Sequence, residues 1–371
     1  VDQSALRRDT PQEAEDRVQR ALAPHLTGEA LQRRARPDAA CPWFAAHNVA
    51  FERTLAFDDH EAFDHPVANI LVVSSIADNP MEAFSALAKA ALAPPLLRSG
   101  VASPQMLLHY LLVHDMTDPS APPIEQAEAA LATARVAYGL NNCTLITLNS
   151  REGSSSPLAD IWSEHADDYR SPSSRVRAAS PPAPGLLLND ADVSGVRSFM
   201  AVFMEKLLLP FLETRVRQLS TTINNTRRGI KNQLKSLWGG KARKDGEPER
   251  SGDGTYPHNS TEAQIRLAGD LAFMLEDYEL ALQHYRLVAG DYKNDKALKH
   301  LGGVNEAIGI ALAMSEGSRR EAESALEGAF ACYQRAPEGC LGLATRAMIV
   351  SGRLLQAVGS PRDAAMAFIR A

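Results

Sequence analysis

Apolar runs alternate with helical stretches in the first 150 residues of the chain. Three runs rich in leucine and β-branched residues stand at 67–75, 106–115 and 143–150. Apolar residues recur at helical spacing between them, over about 80–92 and 124–138. Strands this apolar are typical of a parallel sheet that is covered on both faces, with helices as the connections. The pattern predicts an α/β domain over 1–150 that includes an N-terminal helix at 11–35.

Two polar segments interrupt the chain after this domain, one before and one after a long helix. Serine and proline dominate 151–190, which predicts a linker or loop. A long helix is predicted over 191–238, opened by the capping sequence LNDADV and stopped by the glycine pair that follows it. Residues 239–260 are again polar and predict a flexible loop.

Alanine-rich helical sequence fills the remaining residues, 261–371. Small and aromatic residues share one helical face in 277–289, namely Tyr278, Ala281, Tyr285 and Ala289. This spacing lets helix pairs nest closely in tetratricopeptide-like repeats, and a weaker echo recurs at Ala325, Ala329 and Tyr333. The predicted fold class is therefore α/β followed by all-α: a small parallel-sheet domain, a long helix and a tetratricopeptide-like α-solenoid. A degenerate GTPase-like form of the first domain stays open.

Composition narrows the classes of function. The chain has 371 residues, 45% of them hydrophobic, and a formal net charge of −6, which argues against a general nucleic-acid binder. Its cysteines, at positions 41, 143, 332 and 340, form no CxxC pair and predict reduced thiols of a cytosolic protein. No signal peptide and no long apolar window is visible, so we expect a protein that neither spans a membrane nor is secreted. A start at Val1 and an unfinished helix at the end predict part of a longer protein.

Catalytic and nucleotide-binding motifs are missing. The sequence has no GxGxxG after the first strand, no GxxxxGK[ST] and no GxSxG. His60 and His65 are five residues apart, so a helix would turn them about 140° away from each other and not toward one metal. His109 and His114 fall on opposite faces of a strand. We therefore predict no enzyme, no cofactor and no metal, with a nucleotide-binding regulator as a less favoured alternative.

The second half of the long helix carries the most informative pattern. From Thr214 to Lys244 it has nine basic residues and no acidic one, and its apolar residues keep helical spacing. A narrow apolar seam, basic flanks and a terminal tryptophan suit a helix that lies on an anionic membrane. The predicted membrane-binding residues are Ile223, Arg227, Arg228, Ile230, Lys231, Leu234, Lys235, Leu237, Trp238, Lys241, Arg243 and Lys244.

Two other interpretations of this helix are open. The seam can pack against the solenoid while the cations face solvent, and we expect this for 191–222, where Phe199, Phe203, Leu207 and Phe211 form a core face. Nucleic-acid binding is less favoured because no aromatic residues interleave the charges.

The ordered set of segments resembles one family, the large subunit specific to TRAPP III, a transport protein particle of the early secretory and autophagy pathways. The segments that carry the resemblance are CPWFAAHNVAF, DDHEAFDHPVANILVVSS, HYLLVHD, VAYGLNNCTLITLNS, VRSFMAVFMEKLLLPFLETRVRQLS, LKSLWGGK and TYPHNSTEAQIRLAGDLAFMLEDYELALQHY. Together they cover most of 41–300 in order.

The resemblance implies a non-catalytic scaffold subunit that attaches the particle to early Golgi and pre-autophagosomal membranes. Its implied partners are the small-subunit TRAPP core, an anionic membrane surface and, through the complex, a Rab GTPase; nucleic acid is not among them. The family also implies a lipid-binding amphipathic helix, which maps best onto Ile230, Leu234, Leu237 and Trp238. The alternative from the residues alone is a pure protein–protein interaction scaffold in which the basic helix is buried in the complex.

Overall fold

The computed structural model describes residues 61–150, 188–236, 255–315, 317–336 and 340–371. The predicted helix at 11–35, most of the 151–190 linker and most of the 239–260 loop lie outside these residues. The described residues belong to two compact units, one of 65–218 and one of 61–64 together with 219–371. The boundary falls within a single long helix, between Gln218 and Leu219.

The first unit contains the predicted three-stranded parallel sheet. Its strands are β1 (Ala68–Ser74), β2 (Leu107–Asp115) and β3 (Cys143–Leu148). They pair in parallel in the order β1-β2-β3, which confirms the predicted topology. Each strand follows the preceding one through a helical crossover, as parallel pairing requires.

The helices of this unit are α1 (Pro80–Ala90), the short α2 (Pro95–Arg98) and α3 (Ile124–Tyr138). α1 begins where the Asn79 side chain accepts a hydrogen bond from the Glu82 backbone N–H at 3.2 Å. α3 ends before Gly139, whose φ of 101° favours glycine. Both α1 and α3 pack into one core with one face of the sheet, where the Tyr110 and Tyr138 rings stack at 3.9 Å. Successive right-handed crossovers in one direction place both helices on that face.

A long helix contributes to the opposite face. It runs as α4 (Asp190–Val202), a π-helical turn at Phe203–Leu208 and α5 (Leu209–Ser236). Asn189 and Asp192, within the predicted capping sequence, form a capping box at its start. The rings of Phe199 and Phe203 each lie 5.4 Å from the His109 ring of β2. The predicted helix over 191–238 is thus confirmed as far as Ser236, but its π turn was not predicted.

Within the described residues, six further helices form the array of the second unit. They are α6 (Thr261–Met274), α7 (Tyr278–Asn294), α8 (Leu298–Met314), α9 (Arg319–Arg335), α10 (Leu341–Ala357) and α11 (Pro361–Arg370). Each helix packs against the next one along the chain. The predicted aromatic positions Tyr285 and Tyr333 are fully buried between helices. The predicted all-α region is thereby confirmed.

Residues 61–64 pack with this array. They include a 3₁₀ turn at Ala62–Asp64, and the Phe63 ring meets Phe273 of α6 edge-on at 5.5 Å. The sequence pattern placed them in the α/β domain, ahead of its first strand. The difference arises because Phe63 and Glu61 find their aromatic and charged partners more than 200 residues away.

Candidate functional site

The seam of α5 is buried in its first four turns. Leu212, Val216, Leu219 and Ile223 recur at spacings of four, three and four residues, and each is at most 5% exposed. This spacing places them along one stripe of the helix. The first part of the predicted amphipathic seam is therefore a protein core.

Two polar contacts fix the second unit's part of α5 against α7. The Ser220 hydroxyl lies 3.3 Å from Nε2 of His284, and Arg227 forms an ion pair with Asp291. Both partners advance by seven residues, so α5 and α7 run in the same direction here. Burial lowers the pKa of His284, which keeps its ring neutral beside the serine.

The twelve predicted membrane residues fall into three groups, according to how much of each the structure describes. Ile223 is 3% exposed, and Arg227 is half-buried and paired with Asp291, so both contact the protein itself. A second group continues the helical backbone to its end: Arg228, Ile230, Lys231, Leu234 and Lys235. The third group lies outside the described residues: Leu237, Trp238, Lys241, Arg243 and Lys244. Among the side chains of this set that the structure describes, Ile223 and Arg227 both contact the protein.

Polar side chains also gather at the carboxyl edge of the sheet, where α/β folds commonly bind ligands. The Asn149 side chain donates to Asp115 at 3.0 Å, and the Asn149 backbone N–H donates to Asp192 at 2.9 Å. Thr117 also donates to Asp115 from its hydroxyl at 2.8 Å. The hydrogen bond from Asn149 lowers the pKa of Asp115. These groups satisfy one another and hold the start of α4 to the end of β3.

A buried ion pair lies inside α6. Nε of Arg266 donates to both carboxylate oxygens of Asp270 at 3.0 Å, and the Tyr285 hydroxyl donates to the same carboxylate at 2.8 Å. Burial alone would lower the pKa of Arg266, but the negative charge of Asp270 raises it. Nη1 of Arg266 is buried and has no hydrogen-bond partner among the described residues. Nη1 can therefore donate a further hydrogen bond.

A second buried cluster centres on Arg346 of α10. It donates to both carboxylate oxygens of Glu306, at 2.9 and 2.7 Å. Its remaining donors engage both oxygens of Glu61, one of them at 2.9 Å. The Tyr333 hydroxyl donates to Glu306 at 3.1 Å. Burial raises the pKa of Glu306, and the guanidinium of Arg346 opposes that rise.

Sequence reasoning missed both clusters, although a signal was present. Arg266 and Asp270 stand four residues apart in the otherwise apolar AQIRLAGDLAFM. Glu306 and Arg346 likewise stand in helices made mainly of alanine, glycine and aliphatic residues. A charge on an otherwise buried helix needs a partner, so such residues mark a buried ion pair even when the partner cannot be named.

The described ranges contain neither a candidate membrane span nor a candidate metal site. No helix there is long and apolar enough to cross a membrane. No group of three or more histidine, cysteine, aspartate or glutamate side chains within them is arranged to hold a metal ion.

Comparison with known proteins gives consistent matches. Residues 2–359 match the family model TRAPPC-Trs85, described as the ER-Golgi trafficking TRAPP I complex 85 kDa subunit. The chain is 24% identical over 423 residues to trafficking protein particle complex subunit 8 of Homo sapiens, covering 90% of the chain and 29% of that relative. It is also 24% identical over 306 residues to the Caenorhabditis elegans protein of the same name, covering 65% of the chain and 24% of that relative. The chain thus spans less than a third of the length of either relative.

Proposed function

Because the chain belongs to the TRAPPC-Trs85 family of TRAPP complex subunits, we propose that it is a non-catalytic scaffold of a TRAPP III-type particle. In this proposal it joins the small-subunit core to early Golgi and pre-autophagosomal membranes and works in the cytoplasm as a peripheral membrane protein. The core catalyses guanine-nucleotide exchange on a Rab GTPase, and this subunit positions the core on the membrane. The two relatives named trafficking protein particle complex subunit 8 support a place in that assembly.

The observation that carries the membrane part is the run of basic residues that follows Arg227 in the sequence. Six basic residues and no acidic one lie between Arg228 and Lys244, in a chain whose net charge is −6. Each cation near an anionic bilayer contributes about 1 kcal/mol, so six provide useful attraction. Since Ile223 and Arg227 already contact the protein, the proposed membrane surface begins at Arg228. It comprises Arg228, Ile230, Lys231, Leu234, Lys235, Leu237, Trp238, Lys241, Arg243 and Lys244.

A second candidate is a pure protein-interaction scaffold. The burial of Ile223 and the pairing of Arg227 with Asp291 favour it, because the apolar stripe begins as a protein contact. In this version the residues after Arg227 pack against another subunit. It predicts no binding to lipid and slowed amide exchange over 223–238 when the particle assembles.

Co-flotation of the chain with anionic liposomes tests the proposal. We expect the unchanged protein to float and the Leu234→Asp/Trp238→Asp variant to stay behind, because carboxylates on the apolar stripe oppose insertion. The matched control is Val136→Asp/Leu140→Asp, which adds the same charge at positions 90% and 70% exposed. This control should float like the unchanged protein.

The two remaining flotation results would each contradict part of the proposal. If neither the unchanged protein nor the variant floats, the protein-interaction scaffold replaces the membrane proposal. If both float, the lipid contact lies elsewhere in the chain and the assigned residues are wrong.

A further inference from the structure

Residues 61–63 lie on one face of the helical array. Glu61 binds Arg346 of α10, which also binds Glu306 of α8, and Phe63 meets Phe273 of α6. The three helices α6, α8 and α10 are the first members of the three successive helix pairs. Stacked helix pairs commonly bind ligands on a surface built from one helix of each repeat.

Glu61 is held as the carboxylate of a bound peptide would be. It is 2% exposed, and both of its oxygens are engaged by the guanidinium of Arg346, 285 residues away in sequence. Paired hydrogen bonds between a guanidinium and a carboxylate combine charge with geometric specificity. Two residues later, Phe63 supplies an edge-on aromatic contact with Phe273. The segment therefore presents an acidic residue and an aromatic residue in a Glu-x-Phe order.

A second arginine of these helices also has a hydrogen-bond donor that Glu61 does not engage. Arg266 of α6 is 3% exposed, and its Nη1 has no hydrogen-bond partner within the described part of the chain. Burial alone would lower the pKa of Arg266; Asp270 and the hydroxyls of Tyr285 and Tyr292 raise it, and Glu61 adds a smaller rise. A buried donor without an acceptor is unfavourable, and a ligand oxygen would remove that penalty.

We infer that the α6–α8–α10 face is a binding cleft for peptides of the form Glu-x-aromatic, with Glu61 to Phe63 as its tethered occupant. Arg346 recognises the acidic side chain, Phe273 recognises the aromatic ring, and Nη1 of Arg266 is left to bind a further oxygen. A partner protein that carries such a segment competes with the tethered one. Its binding releases the chain just ahead of β1.

Binding of a peptide in trans tests this inference. The probe is a fluorescent peptide with the sequence of residues 57–66, FDDHEAFDHP, titrated against the 371-residue chain carrying Glu61→Ala and Phe63→Ala. This double variant is called the vacated chain, because it lacks the two side chains that occupy the cleft. We expect the peptide to bind it saturably. We expect binding at least about tenfold weaker to the unchanged chain, whose tethered segment has a high effective concentration.

Matched variants identify the contacts. Adding Arg346→Met to the vacated chain should weaken binding at least about thirtyfold, as expected for loss of one partner of a buried charge pair. Adding Arg362→Met, at an exposed arginine of the neighbouring α11, should leave the affinity unchanged. A probe that carries Glu61→Gln should also bind more weakly. Equal binding of both probes, or no binding to a vacated chain whose circular dichroism is native, overturns the inference.

Hydrogen–deuterium exchange decides the case if the vacated chain does not fold. Excess probe is added to the unchanged chain, and exchange is followed at residues 61–64 and in α11. Faster exchange at 61–64 alone supports displacement of the tethered segment. Unchanged exchange at 61–64 would show that these residues are a permanent part of the core, which overturns the inference.

Discussion

His109 is a buried histidine that must stay neutral. It is 1% exposed, its ring lies 5.4 Å from each of the rings of Phe199 and Phe203, and its Nε2 lies 3.1 Å from the Thr144 hydroxyl. Its Nδ1 is buried with no hydrogen-bond partner in the described ranges. Burial lowers its pKa from 6.5, because removal from water disfavours the charged imidazolium.

Acid should therefore destabilise the α/β unit through His109. Above a pH of about 6.5 the ring is neutral in both the folded and the unfolded chain, so the full stability is present. As the pH falls below that value, the unfolded chain binds a proton that the folded chain excludes, and stability is lost. Thermal unfolding between pH about 7.5 and about 5.5 measures this slope, which His109→Leu should reduce.

The matched control keeps the imidazole of His109 and removes the hydroxyl of Thr144 that lies beside it. Thr144→Val should lower the melting temperature at every pH, because it removes the hydrogen bond to Nε2, while the slope with pH stays. A slope that His109→Leu leaves unchanged would assign the acid sensitivity to another group, such as the buried His284.

At the scale of elements, glycine–aromatic contacts set how closely the array helices approach. A Cβ on Gly269 would lie 2.6 Å from the Tyr285 ring, one on Gly302 2.7 Å from Tyr333, and one on Gly352 2.5 Å from Phe368. Such distances are far below van der Waals contact, so each ring occupies the space that glycine leaves. Small residues on one helix and aromatic residues on the next therefore build the helix pairs.

Gly352→Ala should destabilise the array. The added methyl group forces the Phe368 ring away, which typically costs about 1–3 kcal/mol in a packed interior. Chemical denaturation measures the change in the free energy of unfolding. The matched control is Gly290→Ala, on an exposed helical position where an added Cβ meets no atom within 4 Å. It should be neutral or stabilising by up to about 1 kcal/mol, and a loss equal to that of Gly352→Ala would refute the steric explanation.

At the scale of the whole molecule, charge is distributed unevenly. The chain has a net charge of −6, yet 214–244 carries nine cations and no anion. An anionic bilayer therefore repels the chain as a whole and attracts this basic segment. Salt shortens the range of both, from a Debye length of about 10 Å at 0.1 M to about 3 Å at 1 M.

Liposome binding should consequently fall as salt rises. Between about 0.1 and about 0.5 M salt we expect most of the binding to anionic vesicles to be lost, as measured by sedimentation. Lys231→Gln/Lys235→Gln should weaken binding at low salt about tenfold or more, since each cation contributes about 1 kcal/mol. The control Lys89→Gln/Lys293→Gln removes the same charge at exposed lysines elsewhere and should have little effect. Binding that is insensitive to salt would contradict an electrostatic contact.

The sequence by itself determined the elements whose causes are local. The apolar runs of β1, β2 and β3, the capping box at Asn189 and the small–aromatic spacing in α7 depend on neighbours a few residues away. Parallel pairing also followed, because two helical crossovers leave few other ways to bury apolar strands. The ordered segments were sufficient to indicate the family.

Only the tertiary structure decided which distant groups meet. The pairing of Glu61 with Arg346 and of Arg227 with Asp291 joins residues 285 and 64 positions apart. No periodicity encodes such partners, because a buried charge requires an opposite charge but does not specify where in the chain it lies. The same holds for Ile223 in the seam of α5: its spacing fits a membrane surface and a protein core equally well, and packing alone assigned it to the core.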